Sequence, residues 1–267
     1  MARVQPIDAG QARVVRLGEG GFGTTYRLSG RRGDQALVLK IMPERGIRAR
    51  LSARLQQQIG AITALSHHED MVTIVGWGTR HDRWYVAFEE AVGGSLAQLV
   101  DAGGSLEWRS TVRLGVRLGR VLELAHDLGV LHRDIKPANI LLSADGRPLL
   151  TDLGLGTLAC SFSLDTPAAA DSLAVAAPEA SRTMSLTPQS DVYALAATMR
   201  LLLGGRHAAG RRRSEPPPEL ITLLDRATAR EPERRPSSMA AFRADLELLD
   251  DRAHRPLHIS LGERRAS

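Results

Sequence analysis

Two adjacent glycines, Gly93 and Gly94, divide this chain into parts with different hydrophobic periods. That division restricts the available folds more than any other feature. Before it come ARVVRL, the cluster GEGGFG, TTYRLS, a GRRGD turn and QALVLKI, followed later by MVTIVGW (71–77) and WYVAFEE (84–90). Alternating, β-branched runs bounded by glycines predict antiparallel hairpins. One helix interrupts them, because Leu51, Leu55, Ile59, Ile62 and Leu65 recur at three- and four-residue intervals within 47–65. After Gly94 the period is helical, over Glu107–Leu128, Gln189–Leu203, Leu220–Thr228 and a serine-capped segment from Ser237 to about Leu249. A strand-rich first third and a helix-rich remainder predict an α+β chain of two lobes, with a cleft between them as the natural ligand site.

Composition supports one large domain or two packed lobes. The 267 residues are 43% hydrophobic, enough for a substantial core. A single cysteine, Cys160, excludes a disulfide scaffold and a cysteine-built zinc cluster, and it fits a reducing cytoplasm. The first fifteen residues lack the apolar core of a secretory signal, and no run of about 18 apolar residues predicts a membrane span. A net charge of +5 raises the question of nucleic acid. With 4% aromatic residues, and with its one dense basic run (RHAAGRRR, 206–213) in a glycine-containing loop that reads as solvated, the chain is not expected to bind it.

Gly18, Gly20 and Gly23 stand in GxGxxG spacing within LGEGGFGTTY. Glycines let a backbone turn sharply and bring its amides close to phosphate. The spacing alone also fits an empty glycine-rich hairpin. A dinucleotide-binding loop would open a helix, whereas here a strand follows, ending in LVLK with Lys40. A lysine in such an apolar run is costly to bury unless it meets an anion.

Further on come HRDIKPAN (132–139), Asp152 in DLG and APE at 177–179. With the glycine loop and the strand lysine in the same order, the sequence over about residues 11–250 resembles the eukaryotic-like (Hanks-type) bacterial serine/threonine protein kinases. The resemblance implies the bilobal protein-kinase fold: a small antiparallel β-rich N-lobe with one main helix (about 11–90), a hinge (about 89–94), a larger helical C-lobe (about 95–250) and a polar, poorly ordered C-terminal tail (251–267). It implies ATP with Mg²⁺, or Mn²⁺ in its place, and a protein substrate bearing Ser or Thr, acidic if it meets the 206–213 arginines. Leu17, Gly18, Glu19, Gly20, Gly21, Phe22, Gly23, Thr24 and Thr25 would cover the nucleotide. Val38 and Leu141 would sandwich the adenine, beside Phe88 and the hinge from Glu89 to Ala91. Lys40 would hold the α and β phosphates, and Lys136 would stand near the γ-phosphate. Asp134 would take or orient the proton of the attacking hydroxyl, Ser172 would help place that hydroxyl, and Asn139 and Asp152 would ligate the metal with hard oxygen. His132 would pack the catalytic loop, Asp191, Glu179 and Arg235 would be structural anchors, and Arg133 would receive an activation-segment phosphate.

Four departures stand out. Family spacing puts Gln58 where a glutamate would pair with Lys40, so the expected partner carries no charge. DLG replaces DFG, Val175 takes a position that is usually aromatic, and the 204–215 segment is short for a substrate-docking helix. The missing glutamate raises an alternative, a pseudokinase serving as a nucleotide-binding or scaffold module. A small-molecule phosphotransferase of kinase-like fold is a third reading, weakened by Arg133 and the APE segment. Against the pseudokinase, the only two lysines beside 33 arginines are Lys40 and Lys136, the two phosphate-handling positions. A compact point charge and a planar fork are not interchangeable there.

Overall fold

A computed structural model describes residues 13–20, 23–29, 36–42, 53–80, 83–155, 174–181, 186–204 and 215–261. The N-lobe strands are β1 (Arg13–Gly20), β2 (Gly23–Ser29), β3 (Leu37–Ile41), β4 (Ile74–Arg80) and β5 (Arg83–Glu89). They form one antiparallel sheet in the order β1-β2-β3-β5-β4. Helix α1 (Ala53–Leu65) follows β3 and buries Ile59 and Ile62. Its predicted earlier turns, from residue 47, lie outside the described residues.

The C-lobe holds α2 (Leu96–Asp101), α3 (Trp108–Asp127), the hairpin β6 (Ile140–Leu142) and β7 (Pro148–Leu150), then α4 (Pro188–Gly204), α5 (Pro218–Ala227) and α6 (Met239–Glu247). Helix α3 starts where its sequence says, because the Glu107 carboxylate caps the N–H groups of Arg109 and Ser110. Gly115 lets α4 and α6 approach it closely through Met199 and Leu246. The serine cap of α6 is Ser238, whose hydroxyl accepts from Ala241 N–H at 3.1 Å. The architecture is the expected bilobal α+β fold.

Two seams join the lobes. Val72 N–H donates to Leu150 O at 2.9 Å and Leu150 N–H to Asp70 O at 2.8 Å, so Met71 and Val72, predicted to begin a strand, instead bridge to β7. The buried Asp70 carboxylate accepts from Arg117 Nε of α3 at 2.8 Å, which neutralises a charge that burial would otherwise penalise. At the second seam, Gly93 N–H donates to Leu142 O and Leu142 N–H to Gly94 O, both at 2.8 Å. The glycine pair that divides the sequence is thus the strap between lobes.

The tail corrects the sequence reading. Residues 251–261 are anchored at three points, with Ala253, Leu257 and Ile259 buried and Ile259 N–H bonded to Gly146 O at 2.8 Å, while most of their neighbours are exposed. Leu257 and Ile259 alternate, so one edge of an otherwise polar segment is apolar and lies against the β6–β7 turn. Among the described residues no helix is long and apolar enough to cross a membrane.

Candidate active site

The cleft face of the N-lobe sheet follows from register. Thr25, Lys40 and Val86 form one cross-strand row, and Arg27, Val38 and Phe88 the next. Residues paired directly across strands share a face. Lys40 fixes which face this is, because its Nζ meets Asp152 Oδ2, beyond β7, at 2.6 Å. Val38 and Phe88 therefore face the cleft beside it, with Phe88 buried. Leu17, Gly18 and Glu19 lie exposed at the end of β1, where Glu19 pairs with Arg16. Gly20 ends β1, and Thr24 and Thr25 are half-buried in β2. Glu89 and Ala91 are half-buried at the hinge, and Leu141 packs against the core from β6. Gly21, Phe22 and Ser172 lie outside the described residues, as do Cys160 and the 206–213 arginines.

Gly23 could not be another residue, since its φ is +124° and a Cβ would run into the Ile41 carbonyl. Gly154 is equally constrained. Its φ is +70°, and a Cβ would sit 3.1 Å from Ile62 Cγ1 and 3.2 Å from Val130 Cγ1. Helix α1 therefore rests directly on the segment that carries Asp152.

The loop that carries HRDIKPAN is held by a buried carboxylate. Asp191, in the first turn of α4, accepts from His132 N–H at 2.9 Å and from Arg133 N–H at 3.0 Å. Its Oδ2 also meets His126 Nε2, from the end of α3, at 2.8 Å. Burial would push the Asp191 carboxyl up, but the bond from His126, the His132 and His126 rings beside it and the Arg133 amide hold it below the usual carboxylate range. These bonds brace a turn in which Arg133, a non-glycine residue, adopts φ +70°. Such a conformation costs about 1–3 kcal/mol and persists only where its surroundings over-determine it. Asp152 has φ +64° and is likewise strained.

His132 is fully buried and packs the loop, as expected. Its Nδ1 accepts from Asp134 N–H at 3.3 Å, so Nε2 carries the proton and donates to Thr151 O at 3.0 Å. Thr151 N–H returns a bond to Asn139 O at 3.0 Å, which brings Asn139 and Asp152 together. Asn139 Nδ2 donates to Asp134 O at 2.7 Å and Oδ2 at 2.9 Å, and Lys136 Nζ meets the same Oδ2 at 2.9 Å. Asp134 Oδ1 has no hydrogen bond among the described residues. One carboxylate oxygen is clamped and the other open.

Below the site, Arg235 makes a two-pronged pair with Glu179 at 2.7 and 2.8 Å, lies 4.9 Å over the Tyr193 ring, and is wholly buried at its side chain. Burial raises the Glu179 carboxyl, but bonds from Arg235, its own backbone and Ser190 overrule this and bring it down to about 2. A depressed carboxyl contributes stability that is fully present above its unfolded value of 4.5 and is lost as pH falls towards 2. Thermal melts between about pH 5 and pH 3 should therefore show a steeper loss in wild type than in Glu179→Gln. Parallel slopes would contradict the pairing.

The residues the sequence reading brought forward on separate motifs, Lys40, Asp134, Lys136, Asn139 and Asp152, converge on one cleft. It missed His126, for which the available signal was a histidine in the last turn of an apolar helix, six residues before HRD. It also missed Arg27 and Glu90, which pair across that cleft's edge.

The sequence pattern of the protein kinase domain matches residues 12–246. The chain belongs to the protein kinase domain family. This kinase domain is 36% identical over 290 residues to the serine/threonine-protein kinase PknK of Mycobacterium tuberculosis and of Mycobacterium bovis, matching 98% of this chain and 26% of theirs. It is 28% identical over 210 residues to the probable serine/threonine-protein kinase PknB of Lactococcus lactis, matching 77% of this chain and 33% of that one. The kinase domain thus spans about a quarter of the length of the PknK relatives. Among solved structures, the Mycobacterium tuberculosis PknI kinase domain superposes with a TM-score of 0.64 at 23% identity, covering 94% of this chain and 100% of that one. The PknK and PknB relatives and the family match place it with the bacterial Hanks-type serine/threonine kinases, a family that uses ATP and a divalent metal.

Proposed function

We propose that this kinase domain transfers the γ-phosphate of ATP, with Mg²⁺, to Ser or Thr hydroxyls of proteins, its own activation segment included. The observation that carries the proposal is Asp134, with Oδ2 clamped by Lys136 and Asn139 and Oδ1 open. An acceptor hydroxyl bonded to Oδ1 is oriented for in-line attack, and its proton passes to that oxygen as the new O–P bond forms. Lys136 shares Asp134's oxygen and stands ready to balance the charge of the transferred group. Lys40 is assigned to the α and β phosphates, on the same face as Val38 and Phe88, which with Leu141 make the apolar slot for adenine. Asn139 and Asp152 offer hard oxygens brought together by the Thr151 bond, and among the described residues no cluster of three or more His, Cys, Asp or Glu could hold a metal alone. That set fits Mg²⁺, which commonly takes one or two protein oxygens and completes its shell with phosphate and water. When bound, the ion neutralises phosphate charge.

Arg133 supports the activation-segment reading. Its Nε is buried with no hydrogen-bond partner among the described residues, a position that a phosphate on Thr157 to Thr166 would satisfy. The single cysteine fits a cytoplasmic setting, and the arginines of 206–213 favour acidic substrates. The test is direct: incubation with ATP and Mg²⁺ adds phosphate, seen by intact mass, and omission of the metal prevents it.

The Gln58–Lys40 pairing expected from the sequence is not among the described contacts: Gln58 sits half-buried on α1, while the Lys40 ammonium meets Asp152 at 2.6 Å. A Gln–Lys hydrogen bond lacks charge assistance worth about 1 kcal/mol. Gln58→Glu is therefore expected to raise turnover severalfold at saturating ATP, and an unchanged or lower rate would overturn the pairing.

A further inference from the structure

The outer edge of the cleft carries an ion pair that the phosphate-transfer chemistry does not use. Arg27 Nε donates to Glu90 Oε1 at 2.6 Å and Nη2 to Oε2 at 2.9 Å, a two-pronged arrangement that only a guanidinium can make. The two ends belong to different parts of the cleft. Arg27 is paired with Val38, so it sits on the cleft face of β2, two residues from Thr25 and four from Gly23. Glu90 follows the last residue of β5 and is fixed there by its own N–H, which donates to Ala36 O at 3.3 Å. The carboxylate is the better buried partner, with 18% side-chain exposure against 41% for the arginine.

We infer that Arg27 and Glu90 form a clasp that ties the stem of the glycine-rich hairpin to the hinge and thereby sets nucleotide affinity. The inference rests on the reading of this cleft as an ATP site. Among the described residues, the β1 side of the hairpin is the weakly held one. β1 is an edge strand with exposed Val14 and Leu17, and its register slips between Arg16 and Gly18. β2 pairs with β3 from Thr24–Ile41 to Leu28–Leu37, and the tie at Arg27 links this paired stem to the hinge. This is a positioning effect on a bound nucleotide, and neither residue reaches the transferred group.

The test measures the Kd of a fluorescent ATP analogue together with kcat and KM for ATP. Arg27→Met and Glu90→Gln should each weaken nucleotide binding about two- to fivefold, the range of a partly exposed ion pair, while kcat at saturation holds. Arg27→Lys, which keeps the charge and loses the fork, should fall between. The double variant should be no worse than the weaker single one, and the swap Arg27→Glu with Glu90→Arg should recover most of the affinity. Unchanged Kd in both single variants, full additivity in the double variant, or a loss in kcat instead of KM would each overturn the clasp. Wild type that binds no nucleotide would sink the ATP reading itself, whereas wild type that binds, beside indifferent variants, would sink only the clasp.

Discussion

Asp191→Ala is expected to destabilise the domain by about 3–5 kcal/mol in urea denaturation, the cost of removing one partner of a buried charged network. The carboxylate serves three groups at once: His126 Nε2, His132 N–H and Arg133 N–H. Alanine leaves two buried amides unmet and cuts His126 from its partner. The effect on catalysis should exceed the effect on folding. Without those bonds nothing compels Arg133 to keep φ +70°, and relaxation of that turn carries Asp134 with it. Displacement of a catalytic group by about 1 Å can cost on the order of 100-fold in rate. Turnover of the folded variant, measured well below its midpoint of denaturation, should drop at least that much. Asp191→Asn, which retains an acceptor oxygen, should lose less of both. Wild-type stability and turnover in Asp191→Ala would contradict the assignment.

The second large effect is confined to chemistry. Asp134→Asn should lower phosphate transfer about 1,000-fold, within the range of a lost general base, while nucleotide affinity stays near wild type. Oδ2 takes the bonds from Lys136 and Asn139, and the amide keeps an oxygen able to play that part. In the proposed transfer, what the substitution removes is the charged Oδ1 that would receive the proton. A matching loss of nucleotide binding would mean that Asp134 shapes the nucleotide site and not the transfer.

Much of this was legible in the sequence for physical reasons. Five strands with alternating patterns and a helix with a continuous apolar stripe on α3 are local signals, strong enough to survive without tertiary context. The ordered motifs placed Lys40, Asp134, Lys136, Asn139 and Asp152 in one cleft, where the structure brings them together. Less legible were features created by pairing over long separations. The strands β6 and β7 are three residues each, too short to show a period. The sequence pattern starts the last helix at Ser237, and the bond from Ala241 N–H puts the cap one residue later, at Ser238. The tail's Leu257 and Ile259 were outnumbered by polar neighbours, and their role depends on the β6–β7 turn lying beside them. Arg27 and Glu90 are 63 positions apart. In a chain with so many arginines nothing in the sequence marks that pair.

Phosphosite mapping after incubation with ATP and Mg²⁺, wild type beside Asp134→Asn, tests the account most directly. It predicts phosphate on wild type, on hydroxyls between Thr157 and Thr166, and almost none on the variant. Equal phosphate on both, or none on either while the nucleotide still binds, would contradict it.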